Sequence, residues 1–257
     1  MKLPSPGRYV YGSFVLLLTA GICAEVVSIT GRQDIISAAL LVSAVILFLT
    51  AILLLVFHRP DSLDERFVSL LQVQGTINTC TVAADLGLSG LSCFLPQGLT
   101  ESTGVMHLIP VTRYTGEPVA GSVFVSGEGF SGLLLPPVCI PLLKELKKTN
   151  QLTIPETRDE FSTLLHEIAV DVLEVAGKIQ VTWSDTGVHI RMEGYRLYEG
   201  CRSVSRESPA CCTMSPCVIC SLFATCIAEG LNRPVQVDRC VPVKKGDSVE
   251  MIFTLLL

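Results

Sequence analysis

Apolar residues crowd the first sixty positions in two long blocks and thin into short periodic patterns afterwards. Ile35 to Phe57 carries no charge over 23 residues, and Tyr11 to Ile29 carries only Glu25. A helix rises about 1.5 Å per residue and the hydrocarbon core of a bilayer is about 30 Å thick, so each block is long enough to span one. The turn TGRQD (30–34) joins them into a membrane hairpin. Small residues at four-residue spacing predict where the helices meet: Ala20 and Ala24 in the first span, Ala39 and Ser43 in the second. Glu25 lies about one turn from the far end of its span, where an acid reaches the interface.

The pattern then becomes that of a folded domain. Asp61 or Ser62 is placed to cap a helix carrying Phe67, Leu70, Leu71 and Val73. Gly75 interrupts it, and helical spacing resumes through Ile77, Cys80, Val82 and Leu86 until Gly87 and Gly90. LSCFLP (91–96), VMHLIPV (105–111) and GSVFV (121–125) read as strands between turn residues. Gly127, Gly129 and Gly132 have the spacing of a nucleotide-binding loop, but Leu133 to Leu135 predict a strand rather than the helix such a loop needs. The run reads as a hairpin turn. Pro136-Pro137 opens a helix to Lys148, and Glu156 to Val175 carries apolar residues on one helical face. Lys178–Trp183 and Val188–Met192 alternate about a turn. A cysteine-rich loop follows, then a helix from Ser215, its cap, to Gly230, then a hairpin of 235–243 and 248–257.

The fold class is therefore α+β: an N-terminal transmembrane helical hairpin followed by a soluble domain of antiparallel hairpins and helices. Residues 1–60 form the hairpin, with spans at about 11–29 and 35–57. Residues 61–150 supply helix and short strands, and 151–257 an αββαββ cysteine-rich part packed with the preceding segment. The element order of that last part suggests a degenerate repeat.

Charge adds an orientation. Residues 1–60 hold four basic and two acidic side chains, and the remainder holds 15 and 22, a net −7. An acidic domain lacks the clustered cations that phosphate binding needs, which excludes nucleic acid as a partner. The stretch KELKK (144–148) is the cationic last turn of a helix. Lys2 and Arg8 precede the first span, and Arg59 and Arg66 follow the second, so both termini are expected on the cytoplasmic side of the cell membrane. Membrane lipid is one expected partner, and a protein at the membrane surface another.

Eleven cysteines, an odd number, agree with a reducing compartment; seven fall between Cys201 and Cys240. They include one CxxC, Cys217 to Cys220. Zinc takes four ligands in a tetrahedron, and Cys211 and Cys212 supply a second pair beside Cys217 and Cys220, with Cys201 or Cys240 in reserve. An iron–sulfur cluster needs the same thiolate count. The CxxC also opens a helix, where the dipole lowers a thiol pKa and suits disulfide exchange. The third reading is that buried cysteines here act as small apolar side chains.

No other constellation competes. The four histidines are scattered, and His166-Glu167 fails the zinc-helix pattern because position 170 is Val. No GxSxG occurs, and Asp159-Glu160 and Asp171-Glu174 lie on a solvated helix face. The two-span hairpin, RPDSLDERFVSLL running to DLGLSG, the strands LSCFLP and VMHLIP, GLLLPPVCIPLLKEL and the closing helix–hairpin set resemble an uncharacterised family of archaeal membrane proteins of halophiles and methanogens. That resemblance implies the architecture above but no activity and no site residues. The sequence thus points to a membrane-anchored cytoplasmic binding, interaction or sensory domain of unknown ligand, and leans away from an enzyme. The alternative is a cysteine-held metal or thiol-redox protein, and a third reading is a membrane enzyme of unknown reaction.

Overall fold

A computed structural model describes residues 8–31, 34–57, 64–121, 123–127, 130–244 and 246–256. The chain divides into two compact units, Met1–Leu63 and Asp64–Leu257. In the first unit, α1 (Arg8–Thr30) and α2 (Ile35–Phe57) pack against each other. Most of their side chains face outward. The buried positions are Ser13 and Ala20 on α1 and Ala44 and Ala51 on α2. The seam therefore repeats every seven residues, not every four: Ala24, Ala39 and Ser43 are exposed. Close approach still uses small residues, because backbones meet only where side chains are short.

The second unit opens with α3 (Glu65–Leu70) and α4 (Val73–Asp85). The expected caps Asp61 and Ser62 lie outside the described residues; the observed cap is Asp64, whose carboxylate accepts the Arg66 N–H at 2.9 Å. Gly75 does not interrupt the helix. The break falls at Leu71-Gln72, and α4 runs through Gly75 to end at Gly87, whose φ is +77°.

Eight strands follow in one antiparallel sheet: β1 (Cys93–Leu95), β2 (Met106–Pro110), β3 (Phe124–Gly127), β4 (Phe130–Leu135), β5 (Lys178–Trp183), β6 (Gly187–Glu193), β7 (Val235–Val243) and β8 (Ser248–Leu255). Their order is β3-β4-β2-β1-β7-β8-β6-β5. The strands β3 and β4 that flank the glycine run pair antiparallel, Gly127 with Phe130; residues 128 and 129, the place of the expected turn, lie outside the described residues. The sheet is continuous across residue 150, joined where Cys93 and Phe94 pair with Gln236 and Val235. Each half pairs its four strands alike: first with second, second with fourth, fourth with third.

The helices α5 (Ile140–Thr149), α6 (Arg158–His166), α7 (Tyr198–Glu207), α8 (Cys211–Met214) and α9 (Val218–Leu231) share one core with the inward residues of the strands. Strand β6 shows the alternation: Val188, Ile190 and Met192 are buried, while His189 is exposed. Three expectations are corrected. The single helix over 156–175 ends its α-form at His166 and continues as a wider π-helical stretch, Glu167–Val172. The cysteine-rich loop is helical, forming α7 and α8. The cap of α9 is Cys217, not Ser215, and Asn232 ends it in the left-handed region at φ 48°.

Two helical glycines are required by close approach. A Cβ on Gly200 of α7 would stand 2.1 Å from the Ser69 carbonyl oxygen, and one on Gly230 would stand 2.2 Å from that of Pro155.

A thiol chain beneath an apolar pocket

Five cysteines from four places in the chain meet where α7, α8, α9 and β7 converge. Cys217 is the cap of α9 and Cys220 lies one turn on, so both sulfurs fall on one side of the helix, 3.5 Å apart. Cys240 approaches from β7, its sulfur 3.1 Å from that of Cys220. A β-bulge puts it there: between Val237 and Arg239 the pairing register with β8 slips by one residue. Val235 and Val237 face the core; without the slip, the next inward position would be Arg239. The extra residue gives that position to Cys240 instead. Cys201 of α7 and Cys212 of α8 flank this row, near enough to shift the thiol pKa of Cys217 and Cys240 respectively. The sulfur contacts themselves run in sequence Cys217, Cys220, Cys240.

The thiols differ in acidity. The neighbouring Cys201 and Cys220 thiols hold the Cys217 thiol well below its ordinary pKa, helped by the backbone N–H groups of Cys220 and Ile219. Bonds from Cys212 and Cys220 likewise pull Cys240 down to about 6, against the effect of burial. Cys201, Cys212 and Cys220 are raised, first by the neighbouring Cys217 and Cys240 thiols and then by burial. The phenol of Tyr195, buried beside the thiols, is raised by burial and by their negative charge.

Cys217 alone of the five is only half-buried. It opens on a pocket of about 230 Å³ walled by Val68, Val73, Leu173, Val175, Tyr195 and Val204. The π-helical stretch precedes Leu173 and Val175, and Gly200 lines the same pocket.

Of the four residues expected as metal ligands, the structure brings Cys217 and Cys220 together and sets Cys212 against Cys240. It places Cys211 elsewhere, where the Cys80 thiol donates to the Cys211 carbonyl oxygen at 3.6 Å. Among the described residues, no group of three or more His, Cys, Asp or Glu side chains is arranged to hold a metal ion. Sequence reasoning named Cys201 and Cys240 only in reserve and missed Tyr195. No spacing rule could have found Cys240, because its inward orientation depends on the bulge.

No curated protein and no solved structure matches the chain. Over residues 15–254, nearly its whole length, the sequence matches the family described as a domain of unknown function (DUF7982), and the chain belongs to that family.

Proposed function

We propose that the chain is a membrane-anchored sensory protein whose cytoplasmic domain reads the thiol–disulfide state of its surroundings. One observation carries this: the partly exposed Cys217 faces an accessible pocket with a second thiol, Cys220, 3.5 Å behind it, and its neighbours act to lower its pKa. Attack on a disulfide needs an exposed thiolate, and release of the product needs a resolving thiol in reach. Cys217 attacks one sulfur of a disulfide RSSR and expels the first RS⁻. Cys220, losing its proton, then attacks the Cys217 sulfur and expels the second. The cysteine pair gives up two electrons and two protons, and RSSR leaves as two RSH.

The anchor rests on α1 and α2, which are long and apolar enough to cross a membrane and only 11% buried over their most apolar windows. A third stretch, Cys211–Leu231, matches them by length and composition but is 83% buried inside the domain. We therefore read two spans in contact with lipid. The basic flanks Lys2, Arg8, Arg59 and Arg66 favour both termini in the cytoplasm. There a reducing pool keeps the five thiols free until it is challenged.

The test uses the full-length chain in detergent, exposed to glutathione disulfide. The reading expects reversible loss of thiol pairs, with Cys217→Ser slowing the reaction at least tenfold. Unchanged thiol counts, or equal rates in the variant, would overturn it. Elemental analysis of the same sample separates the metal reading: stoichiometric zinc or iron would make the cluster a structural centre instead.

A further inference from the structure

The Cys217–Cys220 pair is not the end of the thiol chain. The Cys220 sulfur has a neighbour on each side, Cys217 at 3.5 Å and Cys240 at 3.1 Å. Sulfurs at such distances are near van der Waals contact, the separation from which thiol–disulfide exchange begins. Cys220 is fully buried and Cys240 nearly so, whereas Cys217 lines the pocket. From Cys217 the row therefore runs inward through Cys220 to Cys240, while Cys201 and Cys212 line the same pocket as Cys217.

We propose that Cys240 accepts the disulfide from the Cys217–Cys220 pair and carries it into the interior. The step is an internal exchange that consumes no oxidant. The Cys240 thiolate attacks the Cys220 sulfur, the Cys220–Cys240 bond forms, the Cys217–Cys220 bond breaks, and Cys217 is returned as a thiolate facing the pocket. The inference rests on the thiol-redox reading above, which supplies the first disulfide. Its consequence is regulatory. The oxidised state becomes a covalent tie between the start of α9 and the strand β7, shielded from small reductants, while the entry thiol is ready for a second substrate.

Trypsin gives a direct readout. The chain is cut after Arg206 and Arg239 but resists cutting at Arg233, which precedes Pro234. Cys220 therefore leaves on the long peptide 207–239, and Cys240 on the short peptide 240–244. Full-length protein in detergent is oxidised with glutathione disulfide, quenched at intervals with N-ethylmaleimide and digested without reduction. The expected course is early loss of the Cys217 and Cys220 thiols within one peptide, then linkage of peptide 240–244 to peptide 207–239. In Cys220→Ser that linkage falls at least tenfold, and in Cys217→Ser it forms at least tenfold more slowly. An internal Cys217–Cys220 disulfide with peptide 240–244 never linked would sink the transfer and leave the redox reading standing. A linkage that survives Cys220→Ser would sink it too, by showing a route through Cys212. No disulfide at all would sink both.

Discussion

At the scale of single residues, the chemistry depends on small displacements of side chains along their elements. The CxxC was legible because two cysteines one helical turn apart share a face in any helix. Cys211 looked like its natural partner, yet an adjacent pair on a helix points in two directions, and only Cys212 turns toward the cluster. A second residue-scale feature lies away from the thiols. His107 of β2 is buried and stacked on Phe94 at 4.8 Å, and its Nε2 has no hydrogen-bond partner. Burial pushes its pKa down to about 4, the Met214 backbone hydrogen bond working the other way. Between pH 6.5 and 4 the unfolded chain binds a proton here that the native state does not, so stability falls as pH drops through that window. Across it the loss is about 3 kcal/mol. Chemical denaturation at pH 7 and pH 4.5 checks this, and His107→Leu is expected to flatten the difference.

At the scale of elements, the strands were readable from alternation and the apolar helices from their spacing. What stayed hidden was the helical character of 198–214. Tyr198, Cys201 and Val204 do form a buried stripe, but Gly200, Ser203, Ser205 and Pro209 give the segment the composition of a loop. Tertiary packing decides it: Gly200 lets α7 lie directly on Ser69 of α3. Gly200→Ala is expected to cost about 1–3 kcal/mol and lower the melting temperature by about 5 °C, read by thermal unfolding. Because Gly200 and α3 both line the pocket, the same variant is expected to change the rate at which Cys217 reacts with a bulky maleimide. The π-helical stretch was equally invisible, since an extra residue per turn leaves the apolar count of the segment unchanged. Capping is more predictable: Asp64→Ala is expected to remove about 1 kcal/mol from the unit that α3 opens.

At the scale of the whole molecule, the reading stands on where each apolar segment spends its surface. In α1 and α2 it faces outward, and in α9 it faces protein. A membrane-impermeant thiol reagent added to intact cells is expected to leave Cys217 unlabelled, and to label it once the membrane is breached; labelling from outside would reverse the orientation. The concealed α9 also has a consequence for biosynthesis. It lies against β1, β7 and α5, and β7 is synthesised after it. The nascent polypeptide therefore passes through a stage when a stretch greasy enough for lipid has left the ribosome before the β7 part of its cover exists. Prompt pairing of β7 is therefore expected to keep that stretch out of the bilayer, and substitutions that break β7 pairing are expected to raise the fraction of chains in which it is inserted, read by protease protection.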